Sequence, residues 1–270
     1  MRINSAILPS LPKQFKELWQ FRNLITIFVW RDLKARYRQT SVGIMWAIIQ
    51  PLVITGIFTV IFSRFLKVSS GGVPYPAFSF IALAAWTFIA RSVRVSATSL
   101  INNHGLISKI YFPREVIPLA TVVTSLIDFA IAGVMMFILL AVYKIPLSWH
   151  AVFMPLILLI QILLGIALSL FASSITVIFR DLEFVWPFLI QIGMYASPII
   201  YSVRTLQTKY KALFYINPVT GVVEGYRSIF LFHEIPSFTY LGISLGFSVV
   251  LMLLSYFVFK RIERYIVDVL

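Results

Sequence analysis

Arg91 and Arg94 stand one helical turn apart near the end of a long apolar run. Two guanidinium groups at that spacing suit bidentate contact with a phosphate group. The plainer alternative is that they anchor the end of an apolar helix at a membrane boundary. Asp128 interrupts a second apolar run near its middle, where an ionisable side chain is costly enough to suggest a role. Glu224 and Arg227 lie three residues apart, a spacing at which opposite charges meet on one helix face, and the pair reads as structural. Gln50-Pro51 sets an amide and a helix-bending proline inside a third apolar run, as a static kink or as a bend with a function. The other acids are scattered, with no D-x-D and no H-x-x-x-H. His104, His150 and His233 are far apart and Cys is absent, so neither a metal centre nor a thiol nucleophile is readable. No G-x-x-x-x-G-K-[ST] loop is present to cradle nucleotide phosphates.

The elements that must position these residues follow from composition. Of 270 residues, 60% are hydrophobic and 12% charged, with a mean hydropathy of +0.91. Half the charge of an ordinary soluble protein cannot cover a water-facing surface, so the chain reads as an all-α integral membrane protein. Six spans are expected at about 41–63, 76–97, 116–142, 151–178, 184–201 and 238–259, each near the length a bilayer requires. An even number puts both termini on one side. Placing them in the cytoplasm gives the inner segments about twice the Lys and Arg of the outer ones. The net charge of +13 then belongs to headgroup contact and topology rather than to nucleic acid. No cleavable signal peptide is visible.

Around the spans, residues 1–40 form a basic cytoplasmic segment, 41–260 the membrane domain and 261–270 a cytoplasmic tail. Ser10-Leu11-Pro12 has the form of a helix start, and Phe15, Leu18, Trp19 and Arg22 continue it as an amphipathic helix on the inner surface. Asn102–Glu115 is too polar to span and too apolar for a free loop, and reads as a short helix ending before Pro113. Residues 212–232 are apolar but broken by Asn217-Pro218, Gly221 and Gly225, which fits a re-entrant helix pair on the outer side.

Several long motifs, in order, resemble the permease subunits of type-2 ABC transporters, in the branch that exports O antigen, capsular polysaccharide or teichoic acid. They are R-D-L-K-A-R-Y-R-Q-T-S-V-G-I-M-W-A-I-I-Q-P-L from Arg31, F-P-R-E-V-I-P-L-A from Phe112, and I-F-R-D-L-E-F-V-W-P-F-L-I-Q from Ile178. Y-A-S-P-I-I-Y from Tyr195 and I-N-P-V-T-G-V-V-E-G-Y-R from Ile216 complete the set. The resemblance implies a homodimer of six-span subunits in a bacterial cytoplasmic membrane, with an N-terminal interface helix, a cytoplasmic coupling helix and outer gate helices. Two copies of a separate ATPase subunit would bind the ATP and Mg, and this chain no cofactor. Asn102, His104, Leu106, Lys109, Ile110, Phe112 and Arg114 would then couple to the ATPase, with Leu106, Ile110 and Phe112 filling a groove and Lys109 and Arg114 at its rim. A loop lying on headgroups is the alternative. Arg91 and Arg94 would meet the pyrophosphate of a lipid-linked polysaccharide. Pyranose rings present apolar C–H faces, so Phe58, Phe62, Phe65, Trp86, Phe88, Tyr195 and Tyr201 are candidates to line its pathway, against the alternative of ordinary packing. Asn217, Pro218, Glu224 and Arg227 would build the outer gate.

Other classes fit less well. A membrane glycosyltransferase needs a clustered carboxylate pair or metal motif. A secondary transporter tends to show repeats and several midplane charges, of which only Asp128 qualifies. A type-2 permease for another lipid or a drug is the alternative within the family.

Overall fold

The computed structural model describes residues 11–37, 45–205, 214 and 216–263, and every regular element among them is helical. α1 (Leu11–Gln20) and α2 (Arg22–Tyr37) precede the membrane-crossing part. α3 (Trp46–Phe58) runs on as a wider π-turn segment through Phe65. α4 (Tyr75–Asn102), the one-turn α5 (His104–Ile107) and α6 (Val116–Val142) follow. A 3-10 turn at Trp149–Phe153 leads into α7 (Met154–Ile178), and α8 is Leu182–Ala196. α9 (Pro218–Arg227) continues as a π-turn to Phe232, and α10 (Phe238–Glu263) ends the described chain.

Five of these helices are long and apolar enough to cross a bilayer: Ile48–Phe65, α4, α6, Trp149–Ile178 and α10. The fifth expected span, 184–201, differs. α8 has 15 residues, about 22 Å at 1.5 Å per residue, against a hydrocarbon core of about 30 Å. The reason is local: Ser197 precedes Pro198, which disfavours the helical conformation, and Ser197 is extended at φ −100°, ψ 153°. Arg31, Lys34 and Arg36 of the basic segment are carried on α2, and the Ser10 cap, residues 38–44 and residues 264–270 lie outside the described residues. Between α4 and α6 the expected helix over Asn102–Phe112 is a single turn, followed by turn hydrogen bonds from Lys109 and Ile110 to the Leu106 carbonyl.

α4 is the central post. Pro76 sits in its first turn, where a missing N–H is harmless, and small residues let its neighbours close in. It packs against α6 on one side and α7 on another, and α7 packs in turn on α10. Gly165 of α7 admits the Phe88 ring: a Cβ there would stand 2.8 Å from it. α9 lies against α10 through Gly221, where a Cβ would come 2.4 Å from the Tyr240 carbonyl oxygen. By contrast, α3 carries few buried residues and α8 none, so both helices turn apolar faces outward.

Candidate functional site

A cleft of about 830 Å³ opens between α2, α3, α4 and α8. Arg36, Arg91 and Arg94 gather at one part of it, while Trp86, Phe184, Phe188 and Met194 give it apolar walls and Gln50 and Gln191 reach its lining. The periodicity of α4 contributes to this, since Leu83, Thr87, Ala90 and Arg94 recur at steps of four, three and four along one side of a continuous helix, with Trp86 and Arg91 beside them. Gly193 of α8 leaves room for the indole, with an added Cβ only 2.8 Å from the Trp86 ring. The cleft is therefore amphipathic, with a cationic part next to an aromatic one.

Behind the arginines lies Asp128, buried near the middle of α6. Arg36 donates to its Oδ2 at 3.0 Å, the Tyr37 hydroxyl donates to Oδ1, and Arg91 pairs with Oδ2. Three donors from two helices thus converge on one carboxylate. Arg91 Nη2 is buried with no hydrogen-bond partner among the described residues. Desolvation lowers the pKa of the Arg36 guanidinium from its ordinary value, against the opposing pull of Tyr37 and Asp32. Burial also pushes the Tyr37 phenol up. A second, more polar cavity of about 560 Å³ adjoins the same arginines, and Arg31 closes part of it by donating to Asn103 Oδ1 at 2.7 Å.

Of the residues expected to contact an ATPase, Asn102, His104 and Lys109 are exposed, Leu106 is half-buried and Ile110 is 57% exposed. Phe112 differs from the expectation. It is buried, with its ring 6.2 Å from that of Phe28, because the chain turns inward before Pro113 to start α6. Arg114 is also engaged inside the molecule, on the Glu263 backbone carbonyl. Tyr111, 83% exposed, is the apolar neighbour that Phe112 was expected to be. Its hydroxyl donates to Glu17 Oε1 at 3.3 Å, and the Glu17 carboxylate raises its pKa.

The aromatic candidates separate. Trp86 lines the cleft, whereas Phe88 is buried between Gly165 and the Phe129 ring 6.0 Å away and borders only the small cavity beside Asp128. Phe58 and Phe62 meet edge to face at 5.5 Å and pack toward the core, leaving Phe65 exposed. Tyr195 is exposed, and the Tyr201 hydroxyl donates to its carbonyl oxygen at 3.2 Å.

Asn217 caps α9 by accepting from the Val219 N–H, and its Nδ2 donates to the Ala196 carbonyl and Ser197 Oγ. Pro218 occupies the first turn. Arg227 is fully buried and donates to Glu224 at 2.9 Å, to the carbonyls of Pro198 at 2.6 Å and Ile199 at 2.8 Å, and to those of Tyr201 and Phe78. These carbonyls belong largely to the non-helical backbone after α8, which needs such donors if it lies in lipid.

The family description that matches the chain is that of the ABC-2 type transporter, over residues 23–231. The chain belongs to the ABC-2 type transporter family. It is similar to the O-antigen export system permease protein RfbA of Myxococcus xanthus, at 30% identity over 88% of this chain and 91% of the relative. A Klebsiella pneumoniae protein of the same name is 27% identical over 92% of this chain and 95% of its own length. The polysialic acid transport protein KpsM of Escherichia coli is 23% identical over 87% and 90%. In this ABC-2 protein the matched region runs from α2 to the end of α9, and so includes the cleft and the Asp128 cluster. Sequence reading flagged Asp128, Arg91 and Arg94 but missed Arg36 and Tyr37, which lie some 90 residues from Asp128. The available signal was an acid in an apolar run, which requires a cation from elsewhere in the chain.

Proposed function

We propose that this permease is the membrane subunit of an ATP-driven exporter carrying lipid-linked polysaccharide across the cytoplasmic membrane of a bacterium. The observation that carries the reading is the cleft: cations at one part suit a lipid phosphate, and aromatic and aliphatic walls suit its hydrocarbon and the faces of sugar rings. The export roles in the names of the relatives point the same way. The subunit works as a homodimer, which the outward apolar faces of α3 and α8 support. Two copies of a separate ATPase hold ATP and Mg and push on Asn102–Tyr111, where Ile110 and Tyr111 stand clear of the core. Both termini are cytoplasmic, in keeping with the distribution of Lys and Arg. Arg91 and Arg94 contact the lipid phosphate, and α9 with Asn217, Pro218, Glu224 and Arg227 forms the outer gate.

The test is ATP hydrolysis by the reconstituted permease–ATPase complex. A lipid-linked glycan should stimulate it, and Arg91→Ala with Arg94→Ala should weaken the stimulation by about tenfold, as expected for lost charge-assisted contacts. An undiminished response removes the phosphate role of the pair. Stimulation by phospholipid or drugs in place of glycan supports the alternative, a permease for another lipid or a drug.

A further inference from the structure

A structural ion pair needs one cation for one acid. At Asp128 two guanidiniums and a phenol share a single carboxylate, and one of those guanidiniums keeps a buried N–H with no acceptor among the described residues. The surplus extends further. Around the cleft and its two adjoining cavities the described residues supply Arg31, Arg36, Arg91 and Arg94 against Asp32 and Asp128. Asp32 is engaged by Arg31 at 2.9 Å, so Asp128 alone faces Arg36 and Arg91, and Arg94 is exposed on the cleft. Planar guanidiniums in such excess are matched by a multiply charged oxyanion, whose several oxygens accept more forks than a carboxylate can. The apolar walls next to them indicate that the anion arrives on a hydrocarbon carrier.

We propose that Asp128 is the resident counter-ion of a phosphate site whose additional ligand is Arg36, holding Arg36 and Arg91 until a phosphate- or diphosphate-headed lipid takes them over. The inference rests on the reading of the cleft as the receiver of a lipid phosphate, and it adds two residues and a competition to that reading. Asp128 is here a competitor and Arg36 a ligand carried in on α2. The basic helix ahead of the first span is thereby fastened to α6 by the carboxylate that the headgroup displaces.

Competition makes a prediction that a purely structural bridge does not: removing the acid strengthens binding. The permease–ATPase complex in phosphatidylcholine nanodiscs is titrated calorimetrically with farnesyl diphosphate, with inorganic pyrophosphate and farnesol in parallel. Asp128→Asn removes the charge while keeping one carbonyl acceptor, and should tighten farnesyl diphosphate binding by about tenfold, while Arg36→Gln should weaken it by about tenfold. Unchanged or weaker binding to Asp128→Asn overturns the competitor role; if Arg91→Ala/Arg94→Ala still loses binding, the phosphate reading itself survives. Should Asp128→Asn fail to assemble, Arg36→Gln decides, because Asp128 there retains Arg91 and Tyr37; undiminished binding to it overturns the inference. Inorganic pyrophosphate or farnesol binding as tightly as farnesyl diphosphate overturns the assignment to a phosphate-headed lipid. No binding to the native complex defeats both readings.

Discussion

Arg227 shows how much one side chain organises here. Its guanidinium replaces the water that the carbonyls of Pro198, Ile199 and Tyr201 would otherwise need, and Glu224 balances its charge at 2.9 Å. The Phe78 ring adds a face 3.5 Å from the guanidinium carbon. Arg227→Lys keeps the charge but loses the planar fork, so several buried carbonyls lose their donors. The expected loss is about 3 kcal/mol of stability, the scale of breaking a buried ion pair, read as a lower unfolding temperature of the purified protein. Glu234→Gln, at an exposed pair with Arg204, should change stability by about 1 kcal/mol or less. Equal effects of the two substitutions would show that the buried network does not hold the backbone after α8. The Glu224–Arg227 pairing was legible from its spacing of three. The carbonyls it serves were not, because they depend on where a helix elsewhere in the chain stops.

At the scale of elements, close approach of helices does the positioning. Gly221 meets backbone at Tyr240, which cannot give way as a flexible side chain can. Gly221→Ala should therefore push α9 off α10 and destabilise the protein by about 1–3 kcal/mol, the usual range for overpacking. Gly246, on the exposed side of α10 with nothing within 4 Å, is the control. Gly246→Ala should be neutral or stabilising by up to about 1 kcal/mol through helix propensity. Thermal unfolding of both variants checks the pair. Long helices were readable because apolar runs end at charges and prolines: α6 occupies Val116–Val142, between Glu115 and Lys144. The end of α8 was misjudged because composition continues apolar through Ile200 while the Ser197-Pro198 step breaks the backbone. Which helix lies at the centre was not readable either, since α4 and α3 look alike in hydropathy and differ in how many neighbours surround them.

Across the whole molecule, one continuous helix connects the end where α6 starts with the end where α9 lies. α10 has 26 residues, about 39 Å of rise, and each end is fastened. At its C-terminal end Lys260 pairs with Glu115 and Glu263, and Arg114 binds the Glu263 carbonyl, so the start of α6 and the end of α10 move together. At its N-terminal end the glycine face of α9 is pressed against Leu241 and Ser244. A push delivered to the segment between α5 and α6 thus has a stiff path to α9. On the proposed reading the side chain that receives it is Ile110, which is exposed and tied to nothing in the core, whereas Phe112 two residues on is part of the packing against Phe28. Ile110→Asp should leave expression and unfolding temperature within about 0.5 kcal/mol of native, the usual range for a surface change, while glycan export falls and ATP hydrolysis by the complex loses its link to substrate. Phe112→Asp should instead bury an unpaired charge and remove folded protein from the membrane fraction. Measuring folded yield, ATP hydrolysis and export for both variants separates a docking surface from a packing residue; normal export by Ile110→Asp would move the contact with the ATPase away from this segment.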